Sequence, residues 1–223
     1  MIKNSEFKEN SEKESVNIPK YIHMIWVGNK PIPDIYQKCI KIWKEMHPDF
    51  KFKLWKNEDL TEDNFPSIFK YLKKCQCPAQ MADIMRIEII YRNGGIYLDC
   101  DIKPIKKLNN ILRMGSLVVC NESTNNNVMS TGFFASCSYH PAMKAYLELL
   151  QTVDWKNKKI NEQTGPYRWM EALTKSKSKY IKLPIKAFYS VPFRPGVRNI
   201  KQIFSMTYND PYIYGVHMWG KSW

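Results

Sequence analysis

The sequence lacks a hydrophobic run long enough to cross a membrane and a hydrophobic leader at its N-terminus. A helix that spans a bilayer needs about 20 mostly apolar residues, and no apolar run in the 223 residues approaches that length. The first residues are polar and of mixed charge, whereas a secretory signal peptide carries an apolar core. We therefore expect a cytoplasmic protein that is soluble or membrane-peripheral.

Two kinds of common site motif are missing as well. The closest pair among the six cysteines, Cys75-x-Cys77, is too tightly spaced for a two-residue zinc knuckle and has no histidine near it. We therefore expect reduced thiols rather than a zinc site. No zinc finger, RNP-like strand or helix-turn-helix signature indicates specific nucleic-acid binding.

Acidic residues are scarce relative to basic ones, and the imbalance is uneven. The chain carries 34 Lys and Arg against 21 Asp and Glu, a formal net charge of +13. Residues 151–201 alone hold twelve Lys and Arg but three Asp and Glu. Such a segment suits nucleic acid, an anionic membrane surface or a phosphate-bearing small molecule, and it is equally typical of a solvated surface without a partner.

The remaining composition is that of a globular protein. Hydrophobic residues make up 44% and aromatic residues 13% of the chain, which is enough for one domain with a sizeable core. We predict a flexible polar tail over residues 1–17 and a single domain over 18–223. The many Lys, Asn and Ile residues are typical of AT-rich genomes, such as those of bacteria and large DNA viruses.

Apolar periodicity predicts strands that alternate with helices in the first half of the chain. The predicted strands cover residues 21–27, 50–55, 96–98, 117–120, 132–135, 180–191 and 212–219. The predicted helices cover residues 35–46, 58–74, 78–92, 141–153 and 166–173. This alternation indicates the α/β class, with a mixed, mostly parallel central sheet flanked by helices.

The stretch from Gly94 to Asp101 is the strongest candidate for chemistry. Two glycines form a turn, Ile96–Leu98 reads as a buried strand, and Asp99 and Asp101 follow on one face of it. A pair of acids two residues apart also arises by chance, as Glu12-x-Glu14 in the polar tail does. The helix, turn and strand before Asp99 distinguish the second pair. Adjacent carboxylates are typical ligands of Mg²⁺ or Mn²⁺.

Several ordered motifs then resemble one known family over about residues 18–223. The chain resembles the DXD-motif sugar transferases of glycosyltransferase family 32, which include yeast-type α-mannosyltransferases and bacterial capsule enzymes, and more distantly the catalytic domain of clostridial glucosylating toxins. The motifs are Ile-Pro-Lys-x-Ile-His-x-Ile-Trp-x-Gly at 18–28, Ala-Asp-x-x-Arg at 82–86, Gly-Gly-Ile-Tyr-Leu-Asp-x-Asp at 94–101, Thr-Gly-Pro at 164–166 and His-x-Trp-x-x-Ser-Trp at 217–223.

The resemblance implies a GT-A (Rossmann-like) fold, a divalent ion, usually Mn²⁺, and a retaining hexosyltransferase. The donor would be a UDP- or GDP-linked hexose or N-acetylhexosamine, and the acceptor a glycan, a lipid-linked sugar or a protein, as in polysaccharide biosynthesis. By position, the resemblance implies that Trp26 stacks on the base, that Asp83 and Arg86 contact the donor sugar, and that Tyr97 lines the ribose or base pocket. It implies that Asp99 contacts the ribose or a metal-bound water, that Asp101 binds the metal directly and that His217 is a further metal ligand. Ser222 and Trp223 would contact the leaving diphosphate.

Two alternatives remain open at this point. The same aspartates could serve a metal-dependent phosphodiesterase or nuclease, which would require a second carboxylate cluster for a two-metal site. The chain could also be an inactive relative of the fold that uses its basic segment to bind nucleic acid or anionic surfaces. In a transferase, the same basic segment could contact an anionic membrane peripherally. Asn127, Ser130 and Thr131 form a polar stretch that could border the acceptor.

Overall fold

The computed structural model describes residues 17–123, 128–156, 159–193 and 199–220. Almost all of the predicted polar tail lies outside these residues. The described strands are β1 (Tyr21–Ile25), β2 (Lys51–Trp55), β3 (Gly95–Leu98), β4 (Ile102–Pro104), β5 (Leu117–Asn121), β6 (Met129–Ser136), β7 (Ile181–Leu183) and β8 (Gly215–His217). The α-helices are α1 (Asp34–Met46), α2 (Phe69–Leu72), α3 (Pro78–Asn93), α4 (Pro141–Leu149), α5 (Ile160–Gln163), α6 (Pro166–Ser176), α7 (Lys186–Tyr189) and α8 (Ile200–Ser205).

Six strands form one central sheet in the order β2-β1-β3-β6-β5-β7. The pairs β1–β2, β1–β3 and β5–β7 are parallel, and only β6 runs against its two neighbours. Five of the six strands therefore point the same way, and their carboxyl ends meet at one edge of the sheet. The predicted mixed, mostly parallel α/β architecture is confirmed.

The alternation of side chains along each strand divides the core between the two faces of the sheet. Tyr97 and Phe134 belong to the cluster packed under α3, α4 and α6, whereas their neighbours Ile96 and Phe133 belong to the cluster packed under α1 and α7. This is the two-residue period of a strand buried on both sides. Helix α3 lies so deep in the first cluster that nearly all its residues from Ala82 to Ile90 are buried.

The Gly94-Gly95 turn directs the chain from α3 straight into β3. Both glycines have positive φ angles, +62° and +100°, which side chains with a Cβ atom rarely adopt. A Cβ atom on Gly95 would lie 2.5 Å from the Tyr21 carbonyl oxygen. The turn thus needs glycine for its conformation and for the close approach of β3 to β1. It brings the end of α3 beside the sheet, as predicted.

The predicted helix over residues 58–74 is wrong except for α2. The backbone N–H groups of Ser67 and Ile68 donate to the two carboxylate oxygens of buried Glu88, at 2.9 and 3.1 Å. Pro66 has no N–H to donate. These groups are satisfied across the fold rather than within a helix, so the segment forms turns whose side chains Phe65 and Ile68 enter the core.

Two further strand predictions were too long. The segment 180–191 is a strand only over β7, because Pro184 interrupts it and α7 follows, with Phe188 stacked on Phe133. The segment 212–219 is a strand only over β8. Its partner β4 was not predicted, and the two form a separate antiparallel ladder.

Within the described ranges, no helix combines the length and the apolar character that crossing a bilayer requires. All six cysteines are free thiols, in agreement with the expectation of reduced cysteines.

The buried His23 leads to a prediction about acid stability. Its Nε2 lies 3.1 Å from the Gly94 carbonyl oxygen, and its Nδ1 accepts from Trp55 Nε1 at 3.2 Å. Burial lowers the pKa of His23 to about 3, a shift that the Gly94 carbonyl opposes and the charge of Lys53 assists. Below pH ~6.5 the unfolded chain binds a proton that the folded chain excludes, so His23 lowers stability by about 1.4 kcal/mol per pH unit as the pH falls.

Urea unfolding of the wild type and His23→Gln at pH 7, 6 and 5 tests this prediction. The glutamine variant should be less stable at pH 7, because it loses packing and hydrogen bonds. Its free energy of unfolding should nevertheless fall less steeply as the pH is lowered, by about 1.4 kcal/mol per pH unit, which is the contribution of one proton. Carboxyl groups whose pKa is raised by folding make the protein more stable as the pH falls. This contribution is the same in the wild type and in His23→Gln, so it cancels when the two proteins are compared. Parallel curves for the two proteins would contradict the assignment.

Candidate functional site

Polar side chains collect at the edge of the sheet where the parallel strands end. Trp26, Asp99 and Glu122 follow β1, β3 and β5 directly, and Ser130 to Gly132 begin the antiparallel β6 at the same edge. These residues line a cavity of about 490 Å³, which we call the donor cavity. Ligands of open α/β sheets bind at the carboxyl ends of the strands, so the topology makes this cavity the candidate site.

The two aspartates of the motif sit on the turn between β3 and β4. The Asp99 N–H donates to the Gly132 carbonyl at 2.9 Å, which ties the turn to β6. Strand β4 then pairs with β8 in a register that puts Ile102 opposite His217. The Met218 N–H donates to the Asp101 carbonyl at 3.0 Å. The imidazole is thereby carried to the aspartates from more than 100 residues away in sequence.

Asp99, Asp101 and His217 form a compact group of potential metal ligands. One ligand atom from each residue lies within 4.8 Å of the others. His217 Nε2 is 3.3 Å from Asp101 Oδ1 and 3.7 Å from Asp99 Oδ2. Two carboxylate oxygens and an imidazole nitrogen converging on one point suit a divalent ion such as Mn²⁺. The arrangement therefore fits the metal that the sequence resemblance implies.

Burial and neighbouring charges shift the pKa values of all three residues. Burial opposes ionisation of Asp99, but the charge of Arg86 and the hydrogen bond from His217 outweigh it and lower the pKa of Asp99. Burial raises the pKa of Asp101. For His217 burial favours the neutral ring, but the nearby carboxylates, Asp101 first, raise its pKa. Its Nδ1 is buried, and none of the described residues hydrogen bonds to it.

Arg86 connects the metal group to α3. Its Nη1 lies 3.4 Å from Asp99 Oδ1 and donates to the Thr131 carbonyl at 2.8 Å, and its Nη2 lies 3.3 Å from Asp83 Oδ1. The guanidinium also lies over the Tyr97 ring, 4.7 Å from its centre. The side chain is 5% exposed. Arg86 is therefore held between two carboxylates, and its three-residue spacing from Asp83 on one helix face accounts for the first of these contacts.

Asp83 is the most deeply buried acid of the cavity wall. Its Oδ2 accepts a hydrogen bond from Thr164 Oγ1 at 3.2 Å. Burial raises the pKa of Asp83 to about 7, although the charge of Arg86 opposes that shift. Thr164 belongs to the Thr-Gly-Pro motif at 164–166, so the structure joins two motifs that are some 80 residues apart in sequence.

The other predicted site residues differ in their positions. Trp26 lines the donor cavity, and its indole N–H donates to the Lys30 carbonyl at 2.8 Å. Tyr97 does not line the cavity: it is fully buried below Arg86, and its hydroxyl donates to Asp99 Oδ1 at 2.7 Å. The prediction of a ribose or base contact for Tyr97 is therefore wrong, because β3 turns this side chain into the core. Ser222 and Trp223 lie outside the described residues, as does Asn127.

Glu122, Gly132 and Tyr189 are among the residues of the cavity wall that the sequence analysis missed. Burial raises the pKa of Glu122 to about 7, with Asp99 adding to the shift and His217 and Arg86 opposing it. A Cβ atom on Gly132 would lie 2.7 Å from Asp99 Oδ2 and 2.9 Å from the Tyr189 hydroxyl. Tyr189 also hydrogen bonds to Ser130. A signal for Glu122 existed in the sequence, since it follows a predicted strand just as Asp99 does.

The chain is similar to known proteins over part of its length. Residues 33–117 match the family described as "glycosyltransferase sugar-binding region containing DXD motif"; the match includes both aspartates but neither Trp26 nor His217. Inositol phosphoceramide mannosyltransferase 3 of Schizosaccharomyces pombe is 31% identical over 121 residues, 52% of this chain and 34% of that protein. Glycosyltransferase L373 of Acanthamoeba polyphaga mimivirus is 35% identical over 44% of this chain and 41% of its own length. The chain thus spans well under half the length of these relatives.

Solved structures support the fold. The PaToxG glycosyltransferase superposes with a TM-score of 0.56 at 22% identity, covering 71% of this chain and 70% of its own. The UDP-bound glycosyltransferase domain of the YGT toxin gives 0.51 at 10% identity, with 75% and 80% covered. At these identities the likeness concerns the fold alone. The chain has the GT-A fold, and its residues 33–117 match the DXD-motif sugar-transferase family that the sequence resemblance predicted.

Proposed function

We propose that this protein is a metal-dependent, retaining glycosyltransferase that moves a hexose or N-acetylhexosamine from a UDP- or GDP-sugar to a hydroxyl-bearing acceptor. The observation that carries the proposal is the convergence of Asp99, Asp101 and His217 within 4.8 Å at the carboxyl edge of the sheet. The matched relatives, mannosyltransferases among them, support a hexosyl donor. The retaining outcome rests on the sequence resemblance.

Three residues of the cavity wall have a task in this proposal besides the metal group. When bound, a divalent ion supplies Lewis-acid stabilisation to the departing diphosphate. Arg86 holds the carboxylates of Asp83 and Asp99 in place and adds a fixed positive charge to the cavity wall. Trp26 presents an aromatic face to the nucleotide base, a contact worth ~1–3 kcal/mol. Asp83 is placed to accept hydrogen bonds from donor-sugar hydroxyls.

The phosphodiesterase alternative has less support. The two ions of a two-metal site lie about 4 Å apart, so such a site needs a second set of ligands beside the first. Within the described ranges, Asp99, Asp101 and His217 are the one group of three or more His, Cys, Asp or Glu residues that could hold an ion. Isothermal titration with Mn²⁺ separates the two hypotheses, because we expect one ion per chain for the transferase and two for the hydrolase.

The proposal itself is tested with purified protein, Mn²⁺ and a panel of UDP- and GDP-sugars. We expect at least one donor to raise the melting temperature in a metal-dependent way, since a ligand of the native state stabilises it. The same donor should be hydrolysed slowly when water is the acceptor. A protein that binds Mn²⁺ but neither binds nor hydrolyses any donor would refute the proposed activity.

Gly132→Ala is predicted to weaken metal binding without a change in any ligand. The added methyl group would lie 2.7 Å from Asp99 Oδ2, so this carboxylate must leave its present position in the metal group. We expect a loss of Mn²⁺ affinity of about 10-fold or more, comparable to mutations of residues that orient metal ligands. Gly115→Ala is the matched control, because its nearest neighbour is the Ile181 side chain at 3.2 Å. Equal affinities for both variants would contradict the prediction.

The role of the basic segment 151–201 and the identity of the acceptor remain predictions. Peripheral contact with an anionic membrane would be consistent with a lipid-linked acceptor and should appear as salt-sensitive binding to anionic vesicles. We expect no sequence-specific nucleic-acid binding.

A further inference from the structure

A second cavity of about 570 Å³ adjoins the donor cavity. It lies between the end of β5 and the segment that includes α7 and the residues after it. Its described lining residues are Glu122, Ser123, Ile185, Lys186, Tyr189, Ser190, Pro192, Phe193 and Trp219. This volume is large enough for a small-molecule ligand, and none of the roles proposed above occupies it.

The two cavities share one wall. Glu122, Tyr189, Phe193 and Trp219 line both of them. The Trp219 ring packs edge-on against the His217 ring, with centres 4.4 Å apart. The rings of Phe193 and Tyr189 also lie beside it, with centres 5.4 and 5.6 Å away. A ligand in the second cavity would therefore be separated from the metal group by the thickness of a single aromatic side chain.

The shared wall is held in a fixed and strained conformation. Trp219 has a φ angle of +56°, which is uncommon for a residue with a bulky side chain and tends to occur at functional sites. Its indole N–H donates to the Val191 carbonyl at 2.7 Å. That bond joins the β8 end of the chain to the segment after α7, so the wall is one connected unit.

The lining combines aromatic faces with a few hydrogen-bonding groups. Phe193 is 42% exposed to solvent. Ser190 Oγ is buried, and no described residue hydrogen bonds to it. The positive charge of Lys186 is matched by Asp210 at 2.7 Å, and Glu122 supplies a carboxylate. Aromatic faces beside isolated polar groups suit a ring that has an apolar face and a rim of hydroxyls.

We propose that this second cavity is the acceptor subsite and that it takes a neutral pyranoside or cyclic polyol. The ring of this acceptor stacks on Phe193 and Trp219, and one of its hydroxyl groups donates a hydrogen bond to Glu122. This inference rests on the proposed glycosyltransferase function and extends it, since it names the acceptor class and the residues that select it. Glu122 lines both cavities, so a hydroxyl bound to it would lie beside the donor cavity.

The test compares Phe193→Ala and Glu122→Gln with the wild type. Tyr180→Ala is the matched control, because Tyr180 is an aromatic residue of similar exposure, 39%, outside both cavities. The acceptor probes are the methyl α- and β-glycosides of glucose, galactose, mannose and N-acetylglucosamine, and myo-inositol, each at millimolar concentration. Direct binding is measured by saturation-transfer NMR with Mg²⁺ and the nucleoside diphosphate, which avoids paramagnetic broadening by Mn²⁺.

We expect at least one probe to bind the wild type and to divert donor sugar from water to itself. Both cavity variants should raise the KM for that probe about 5- to 10-fold and lower the ratio of transfer to hydrolysis, whereas Tyr180→Ala should change neither. Glu122→Gln preserves the shape of the side chain, so its effect does not depend on misfolding.

The possible failures can be told apart. A wild type that hydrolyses a donor but binds no probe, or cavity variants with an unchanged acceptor KM, would overturn the acceptor subsite and leave the proposed function standing. A wild type that neither binds nor hydrolyses any nucleotide sugar would overturn both.

Discussion

Replacing Asp101 by asparagine is expected to lower glycosyl transfer by roughly 10²–10³-fold, the loss typical of removing one charge-stabilising group from an active site. The variant keeps the shape of the side chain, and the amide oxygen can still accept from the Gly220 N–H, now 2.8 Å from Asp101 Oδ2. It loses the negative charge that would face the ion. We therefore expect Mn²⁺ binding by calorimetry to weaken along with transfer, while the melting temperature without metal falls little or rises.

Asp63→Asn is the matched control for this experiment. Asp63 is exposed, and its carbonyl rather than its carboxylate binds Arg92. We expect wild-type metal affinity and transfer for the control. If Asp101→Asn retained full activity and full Mn²⁺ affinity, the metal role of the two aspartates would have to be abandoned.

Replacing Arg86 by methionine is expected to lower the free energy of unfolding by about 3–5 kcal/mol, as when one partner is removed from a buried ion pair. The substitution would leave Asp83 and Asp99 facing each other without the guanidinium that lies 3.3 and 3.4 Å from them. Urea unfolding measures this loss. Arg113→Met, at an exposed arginine, is the control and should stay within ~0.5 kcal/mol of the wild type.

The penalty for Arg86→Met should also depend on pH. Burial already raises the pKa of Asp83 to about 7, and removing Arg86 would raise it further. The folded variant would then retain a proton that the unfolded chain releases above pH ~4, so its stability falls as the pH rises. We expect a larger loss at pH 8 than at pH 6. Equal losses at both values, or a loss no greater than that of Arg113→Met, would show that the carboxylates do not depend on Arg86.

Much of the fold could be predicted because several elements bury one face in a regular pattern. Helix α1 keeps Tyr36, Cys39 and Trp43 on its buried side, and Pro78 marks the start of α3. The segment 58–74 could not be predicted in the same way. Its backbone depends on Glu88, twenty residues further along the chain, and a distant carboxylate leaves no trace in local periodicity.

The same limit separates the predicted and missed parts of the site. Asp99 and Asp101 stand next to each other in the sequence after a turn and a strand, so their pattern is local. Glu122 can be placed near Asp99 only when the strand order is known, because β6 lies between β5 and β3 in the sheet. The contact of His217 with the aspartates followed from resemblance alone, since three-residue strands such as β4 and β8 are too short to give a periodic signal.

The pairing of β4 with β8 has a consequence for biosynthesis. It places Ile102 opposite His217, so the imidazole joins the two aspartates only after the chain has been made as far as residue 217. A nascent polypeptide whose β8 is still inside the ribosome can already possess the strands of the central sheet, yet it lacks one residue of the proposed ion site. That site would therefore be completed only after the strands of the central sheet have been made.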